Sequence, residues 1–191
     1  MKLKILFLVF LLVCSSCALD KRDIISSNFD FADIQLKHAF VEMDSVYKST
    51  DKLLANPRNI DPNGFLRMVA SHDWTSGFFP GNLWLAYQLT GDESLRESAV
   101  KFTNYLYPLR EYKGTHDIGF MMNCSYGNAN RLSPADSVRS ALIQTADNLC
   151  GRFNPEIGCI RSWNFGKWNL PRYHRQYDEP GPAVLCHSPD R

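Results

Sequence analysis

No charge of one sign dominates this sequence: 21 lysines and arginines stand against 20 aspartates and glutamates in 191 residues, a formal net charge of +1. Without a basic excess there is no field to hold a phosphate backbone or an anionic bilayer, so nucleic acid is excluded as an expected partner. Long apolar runs are also missing, and the stretch from Ile5 to Val13 is too short to cross a bilayer as a helix. Beyond the first residues cysteine never pairs closely: Cys124, Cys150, Cys159 and Cys186 lack the short spacing of zinc ligands. A bridge such as Cys150 to Cys159 is open to an exported chain, as are isolated buried thiols. No window alternates apolar and polar residues for a strand's length between turn signals, which leaves parallel or sandwich sheets little support. What remains is 45% hydrophobic and 21% charged, the composition of a globular chain with one sizeable core. Aromatics reach 13%, enough for a large core or for rings that stack on a ligand.

The first residues read as an export signal. Lys2 and Lys4 precede the apolar run, and the small residues Cys14, Ser15, Ser16 and Cys17 follow it. Ser-Ser-Cys before Ala18 resembles the box at which bacterial lipoprotein signals are cut, so Cys17 is the expected lipid carrier and 1–16 the removed segment. Plain secretion is the next reading, and a Cys14-x-x-Cys17 redox or metal pair, which a removable signal could not hold in a fold, the last. A lipid there is the one membrane attachment expected, on a periplasmic or outer-membrane lipoprotein of a Gram-negative bacterium.

Helical spacing dominates the rest. Ile34, Leu36, Phe40, Val41, Met43, Val46, Leu53 and Leu54 predict one long amphipathic helix from Phe31 to Leu54, ended by an irregular connection around Pro57, Pro62 and Gly64. Asn82 to Leu89, closed by Gly91, predicts a shorter helix. Asp92 or Ser94 caps the next, which runs to about Tyr107 on a stripe of Leu95, Ala99, Val100, Phe102 and Leu106. Ser133, Pro134 and Asp136 start another that reaches about Cys150. The expected class is all-α: helical hairpins whose loops gather at one end of a barrel or toroid and carry the function.

Three loop clusters mix rings with polar groups: Ser71 to Gly81, Thr115 to Phe120, and Ile160 to Trp168. Sugar sites need that mixture, because rings stack on C–H faces while Asp, His, Asn and Arg bond hydroxyls and carboxylates. Arg161 is the candidate cation for an acidic sugar. Each residue also has a plain structural reading. Asp117 can cap a turn, His116 can be a packed hydrogen-bonding residue, Arg161 a solvated side chain, and Trp74, Trp84, Trp163 and Trp168 can fill the core. For Trp84, on its helical stripe, core filling is the expectation.

The run Trp74-Thr75-Ser76-Gly77-Phe78-Phe79-Pro80-Gly81 with Asn82-Leu83-Trp84-Leu85-Ala86-Tyr87, then Thr115 to Phe120, then Ile160 to Trp168, resembles the unsaturated glucuronyl hydrolases, glycoside hydrolase family 88. The resemblance covers most of residues 30–171. It implies an (α/α)6 barrel of six helical hairpins, of which 17–171 would be the N-terminal portion. The implied substrate is an oligosaccharide whose non-reducing end is a 4,5-unsaturated uronic acid. The implied chemistry is hydration: an aspartic acid protonates C4 of the vinyl ether, water adds at C5, and the hemiketal opens to release the remaining saccharide. Displacement at the anomeric centre between two carboxylates does not transfer. Asp117 matches one of the family's two functional aspartates, with His116 beside it and Trp74 and Trp163 as pocket rings. No metal or organic cofactor is implied. Close alternatives are an unsaturated rhamnogalacturonyl hydrolase and, from a different class, a non-catalytic sugar-binding lipoprotein.

The likeness stops at Pro171. There the family continues into I-I-D-N-M-M-N-L, whose aspartate donates the proton, whereas this chain has Arg172-Tyr173-His174-Arg175-Gln176-Tyr177-Asp178-Glu179-Pro180. Codons CGT TAT CAT CGA CAA TAT GAT GAA CCT for Arg172 to Pro180, read from their second base, spell V-I-I-D-N-M-M-N, and degenerate codons through Ala183 extend this to L-D-L-L. The expectation is that one extra base near codon 172 shifted the frame, that 172–191 is an aberrant tail, and that this polypeptide is unstable and inactive. Resequencing the genomic DNA past codon 165 should return a shifted frame that runs on through further helical hairpins; a confirmed frame with no open continuation would overturn the frameshift.

Overall fold

A computed structural model of the chain describes residues 21–49, 56–156 and 158–164. The proposed signal, Cys17, Trp168 and the tail with Asp178 lie outside the described residues. The chain divides into two units, one ending at His38 and the other beginning at Ala39. In the first, the described residues are the opening turns of helix α1 (Lys21–Ser49), exposed along most of their length, with Lys37 bonded to Asp33 at 2.6 Å.

In the second unit α1 contributes Met43, fully buried, and Phe40, whose ring meets those of Phe79 and Phe102. The helix already includes Lys21, ten residues before the predicted Phe31, and the predicted end at Leu53 and Leu54 lies outside the described residues. Its stripe is only partly a core face, since Val41 is 72% exposed and Ile34 is half exposed. The expected irregular connection after it holds an antiparallel hairpin instead, β1 (Asn56–Ile60) on β2 (Leu66–Val69). Asp61 organises its turn by accepting from the backbone N–H groups of Asn63 and Phe65, and Gly64 supplies the positive φ of 87°.

Two helical hairpins follow. In the first, α2 (Phe78–Thr90) takes Pro80 in its opening turn and ends on Gly91 in the left-handed region, whose N–H reaches the Tyr87 carbonyl at 2.8 Å. Helix α3 (Glu93–Asn104) starts at Asp92, which accepts from both the N–H and hydroxyl of Ser94. The hairpin closes around Trp84, completely buried, whose indole N–H donates to Thr103 Oγ1 at 2.9 Å. Core filling is therefore the role of Trp84, as its stripe predicted.

The second hairpin is α4 (Ile118–Met122), a π turn over Asn123–Gly127 and α5 (Asn128–Leu132), antiparallel to α6 (Asp136–Cys150). The start predicted for α6 holds, with Pro134 just before it and Asp136 in its first turn. Its core joins Leu106, Leu109, Ile118, Met121, Met122, Tyr126, Ala141 and Leu149. A short hairpin, β3 (Phe153–Asn154) with β4 (Cys159–Ile160), ends the described region. Cys124 carries a thiol, and Cys150 and Cys159 are not bridged to each other.

Backbone contact joins the two hairpins. A Cβ on Gly77 would overlap the Met121 carbonyl, and one on Gly81 would lie 2.9 Å from that of Cys124. Because the partners advance together along the chain, α2 and α4 run parallel and bring their N-terminal ends to the same side.

Among the described residues the buried Tyr126 hydroxyl has no hydrogen-bond partner, and burial, with Tyr107 nearby, pushes its phenol up to about 12 from the ordinary value of 10.0. An unfolded chain releases that proton near pH 10, so stability from this group is fully present below about 10 and is lost as pH rises through about 12. Tyr126→Phe should therefore keep or raise the denaturant midpoint at pH 7 and flatten the alkaline fall of stability. Equal alkaline slopes in both chains would contradict this account.

Candidate active site

Two segments distant in sequence meet at the N-terminal end of α4. Thr115 and Trp163 form an antiparallel bridge, and the His116 N–H donates to the Ser162 carbonyl at 3.1 Å. The segment before α4, predicted as a loop, thus acts as a single extended residue paired to a second strand-like residue, which fixes side chains that a free loop would leave to move.

Asp117 occupies the N-cap position of α4 without capping it. Its backbone is already helical, with φ of −60° and ψ of −11°, which turns the carboxylate away from the helix N–H groups. Instead Oδ2 accepts from the Thr115 hydroxyl at 2.8 Å, and the Asp117 N–H donates back to the same hydroxyl at 3.2 Å. The other oxygen, Oδ1, lies 3.4 Å from His116 Nε2, and the Asp117 side chain keeps 20% of its surface open. The turn-capping reading of Asp117 is not what the chain adopts.

His116 is buried between two demands. Its Nδ1 lies 3.0 Å from the Ser162 carbonyl oxygen, which can only accept, so Nδ1 carries a hydrogen. Nε2 then faces the Asp117 carboxyl group, whose side chain stays partly open. The Trp163 ring stands edge-on to His116 at 5.3 Å.

Arg161 comes to the same place, its Nε donating to the Trp163 carbonyl at 3.0 Å. Arg152, which the sequence did not single out, reaches in from the turn after α6: Nη2 donates to the Ser162 carbonyl at 2.9 Å, Nε to that of Arg161 at 2.8 Å, and Nη1 to that of Lys113. Burial, then the neighbouring Arg161 charge, push Arg152 below its ordinary range, while Tyr112 and Asp117 pull the other way. Nothing in its local sequence marks Arg152, since its three acceptors are main-chain atoms.

Of the predicted residues, His116, Asp117, Trp163 and Arg161 are gathered here. Trp74 stands on the adjoining loop, 48% exposed and edge-on to Phe78 at 5.8 Å. It is tied to the site through Gly77, which rests on Met121, one helical turn past Asp117. In that loop Asp73 is committed to structure, accepting from the N–H and hydroxyl of Thr75 and from Arg58 at 2.7 Å. His72 packs edge-on against the Tyr112 ring at 4.8 Å. Among the described residues no three His, Cys, Asp or Glu side chains gather to hold a metal ion.

No family model matches the chain. Over 106 residues it is 42% identical to an unsaturated glucuronyl hydrolase of Formosa agariphila, a match covering 54% of this chain and 26% of that protein. A second, of Bacillus sp. strain GL1, is 36% identical over 94 residues, covering 48% and 25%. The crystal structure of an unsaturated glucuronyl hydrolase specific for heparin superimposes with a TM-score of 0.63 at 40% identity, over 75% of this chain and 38% of that one. The Bacillus enzyme, responsible for the degradation of glycosaminoglycan, gives 0.55 at 31% identity over 60% and 32%. The chain thus spans about a quarter of the length of the curated relatives it matches. Its helical hairpins are part of the (α/α)6 barrel, as the sequence predicted.

If the His116 ring is held through Ser162, His116→Phe should keep the Trp163 contact yet lower stability by roughly 1–3 kcal/mol. Urea unfolding of the two chains checks this; identical midpoints would mean that the imidazole bonds contribute nothing net.

Proposed function

We propose that this chain, homologous to the unsaturated glucuronyl hydrolases, is the N-terminal portion of a glycoside hydrolase of that type. Its substrates would be lyase-generated oligosaccharides ending in a 4,5-unsaturated uronic acid, and it would act by hydrating the double bond. The observation that carries this reading is the Thr115-His116-Asp117 unit locked against Ser162 and Trp163.

In this reading Asp117 is the catalytic group supplied by the present residues. Thr115 fixes one carboxyl oxygen, His116 faces the other, and the open fifth of the side chain is the part that meets the sugar or the attacking water. Trp163 and Trp74 offer ring surface to the pyranose, Trp74 being the more exposed. Arg161 supplies positive charge toward a uronate carboxylate. The catalytic acid that protonates C4 belongs to the family segment that residues 172–191 replace, so the chain as written is proposed to be inactive. Export through the leader before Cys17, with lipid on that residue, is part of the same proposal.

The test is loss of the unsaturated-uronate chromophore with glycosaminoglycan-derived disaccharides. The chain as written should show none. A frame-restored chain should turn over, and Asp117→Asn in it should lower kcat by about 10²-fold or more, the scale of general acid–base catalysis. Unchanged turnover in that variant would remove Asp117 from the chemistry, and turnover of pectin-derived disaccharides alone would move the substrate to rhamnogalacturonan.

A further inference from the structure

The Ser162 carbonyl oxygen is the point on which the candidate site turns, since it receives the His116 N–H at 3.1 Å, faces His116 Nδ1 at 3.0 Å and receives Arg152 Nη2 at 2.9 Å. The same guanidinium holds the carbonyls of Arg161 and Lys113. Lys113 lies three residues before His116, and Arg161 and Ser162 precede Trp163, so Arg152 grips both sides of the Thr115–Trp163 bridge. It does so beside a second cation, Arg161, and partly out of water. A half-buried charge facing a like charge is costly unless its hydrogen bonds are filled, and here three carbonyls and the nearby Asp117 fill that need.

We propose that Arg152 is a positioning residue: by clamping the Lys113, Arg161 and Ser162 carbonyls it sets where the Ser162 oxygen stands, and through it the tautomer and orientation of His116 beside Asp117. A planar guanidinium suits this, because its five N–H groups diverge in one plane and reach carbonyls from two segments at once. An ammonium carries the same charge but no such fork, so Lys cannot replace it. The role rests on the Asp117-centred site proposed above, and its first readout is independent of turnover.

The test uses the frame-restored chain labelled with ¹⁵N-histidine, with the His116 signals assigned by their loss in His116→Gln. The parent should show the Nδ1–H form at His116. Arg152→Met and Arg152→Lys, with unchanged circular dichroism, should lose it and give the tautomer mixture of an unconstrained imidazole, whereas Arg161→Gln should retain it. Should Arg152→Met fail to fold, Arg152→Lys decides. Retention of the Nδ1–H form in a folded Arg152 variant, or equal loss in Arg161→Gln, would overturn the proposal. In a frame-restored enzyme Arg152→Lys should lower kcat by roughly ten- to a hundred-fold with KM nearly unchanged, the signature of misplaced geometry. Absence of turnover in the parent enzyme would count against the proposed function while leaving the spectra to decide on Arg152.

Discussion

Two glycines four residues apart, Gly77 and Gly81, let the backbone of α2 lie directly on the backbone of α4 and its π turn. A methyl group at the first would occupy the space of the Met121 carbonyl, so the approach is closer than any other residue allows. The parallel setting of the two helices follows, and with it the meeting of the Trp74 loop and the Asp117 turn at one end. From there the rest is local chemistry. The bridge between Thr115 and Trp163 sets the strand-like entry to α4, the Ser162 carbonyl orients His116, and His116 faces Asp117.

This dependence explains what could be read in advance. Helices α2, α3 and α6 were legible because each carries its own signals: Gly91 as a left-handed terminus, Asp92 as a cap, Asp136 in a first turn. Helix α4 and the segment after it were not. Gly119, Asn123, Ser125, Gly127 and Asn128 are weak helix formers, and the stretch is helical because it is buried against α2 and α6. The hairpin of β1 and β2 was hidden by Pro57 and Pro62, which read as punctuation.

The site divides the same way. His116, Asp117, Trp163 and Arg161 were visible as residue types fit for sugar chemistry, and the fold gathers them. Whether Asp117 capped a helix or faced a histidine depended on one backbone conformation that no local pattern reveals. Arg152 was invisible for a related reason. Its bonds go to main-chain oxygens, and any sequence provides those.

The π turn over Asn123–Gly127 carries one more implication. Such a turn accommodates one residue more than a regular helix would, and in an α-helix each residue advances the face by about 100°. Everything before it, with Asp117 at the head, is therefore rotated relative to Asn128–Leu132 by about that angle compared with an uninterrupted helix. The extra residue acts as a phase offset between two anchors. Downstream, the helix packs on α2, α3 and α6; upstream, Ile118, Met121 and Met122 pack into the core while Asp117, at the head, keeps a fifth of its side chain open. Excising a single residue between Asn123 and Gly127 would restore regular winding at the cost of that phase. The helix would then aim either its carboxylate or its buried face in the wrong direction.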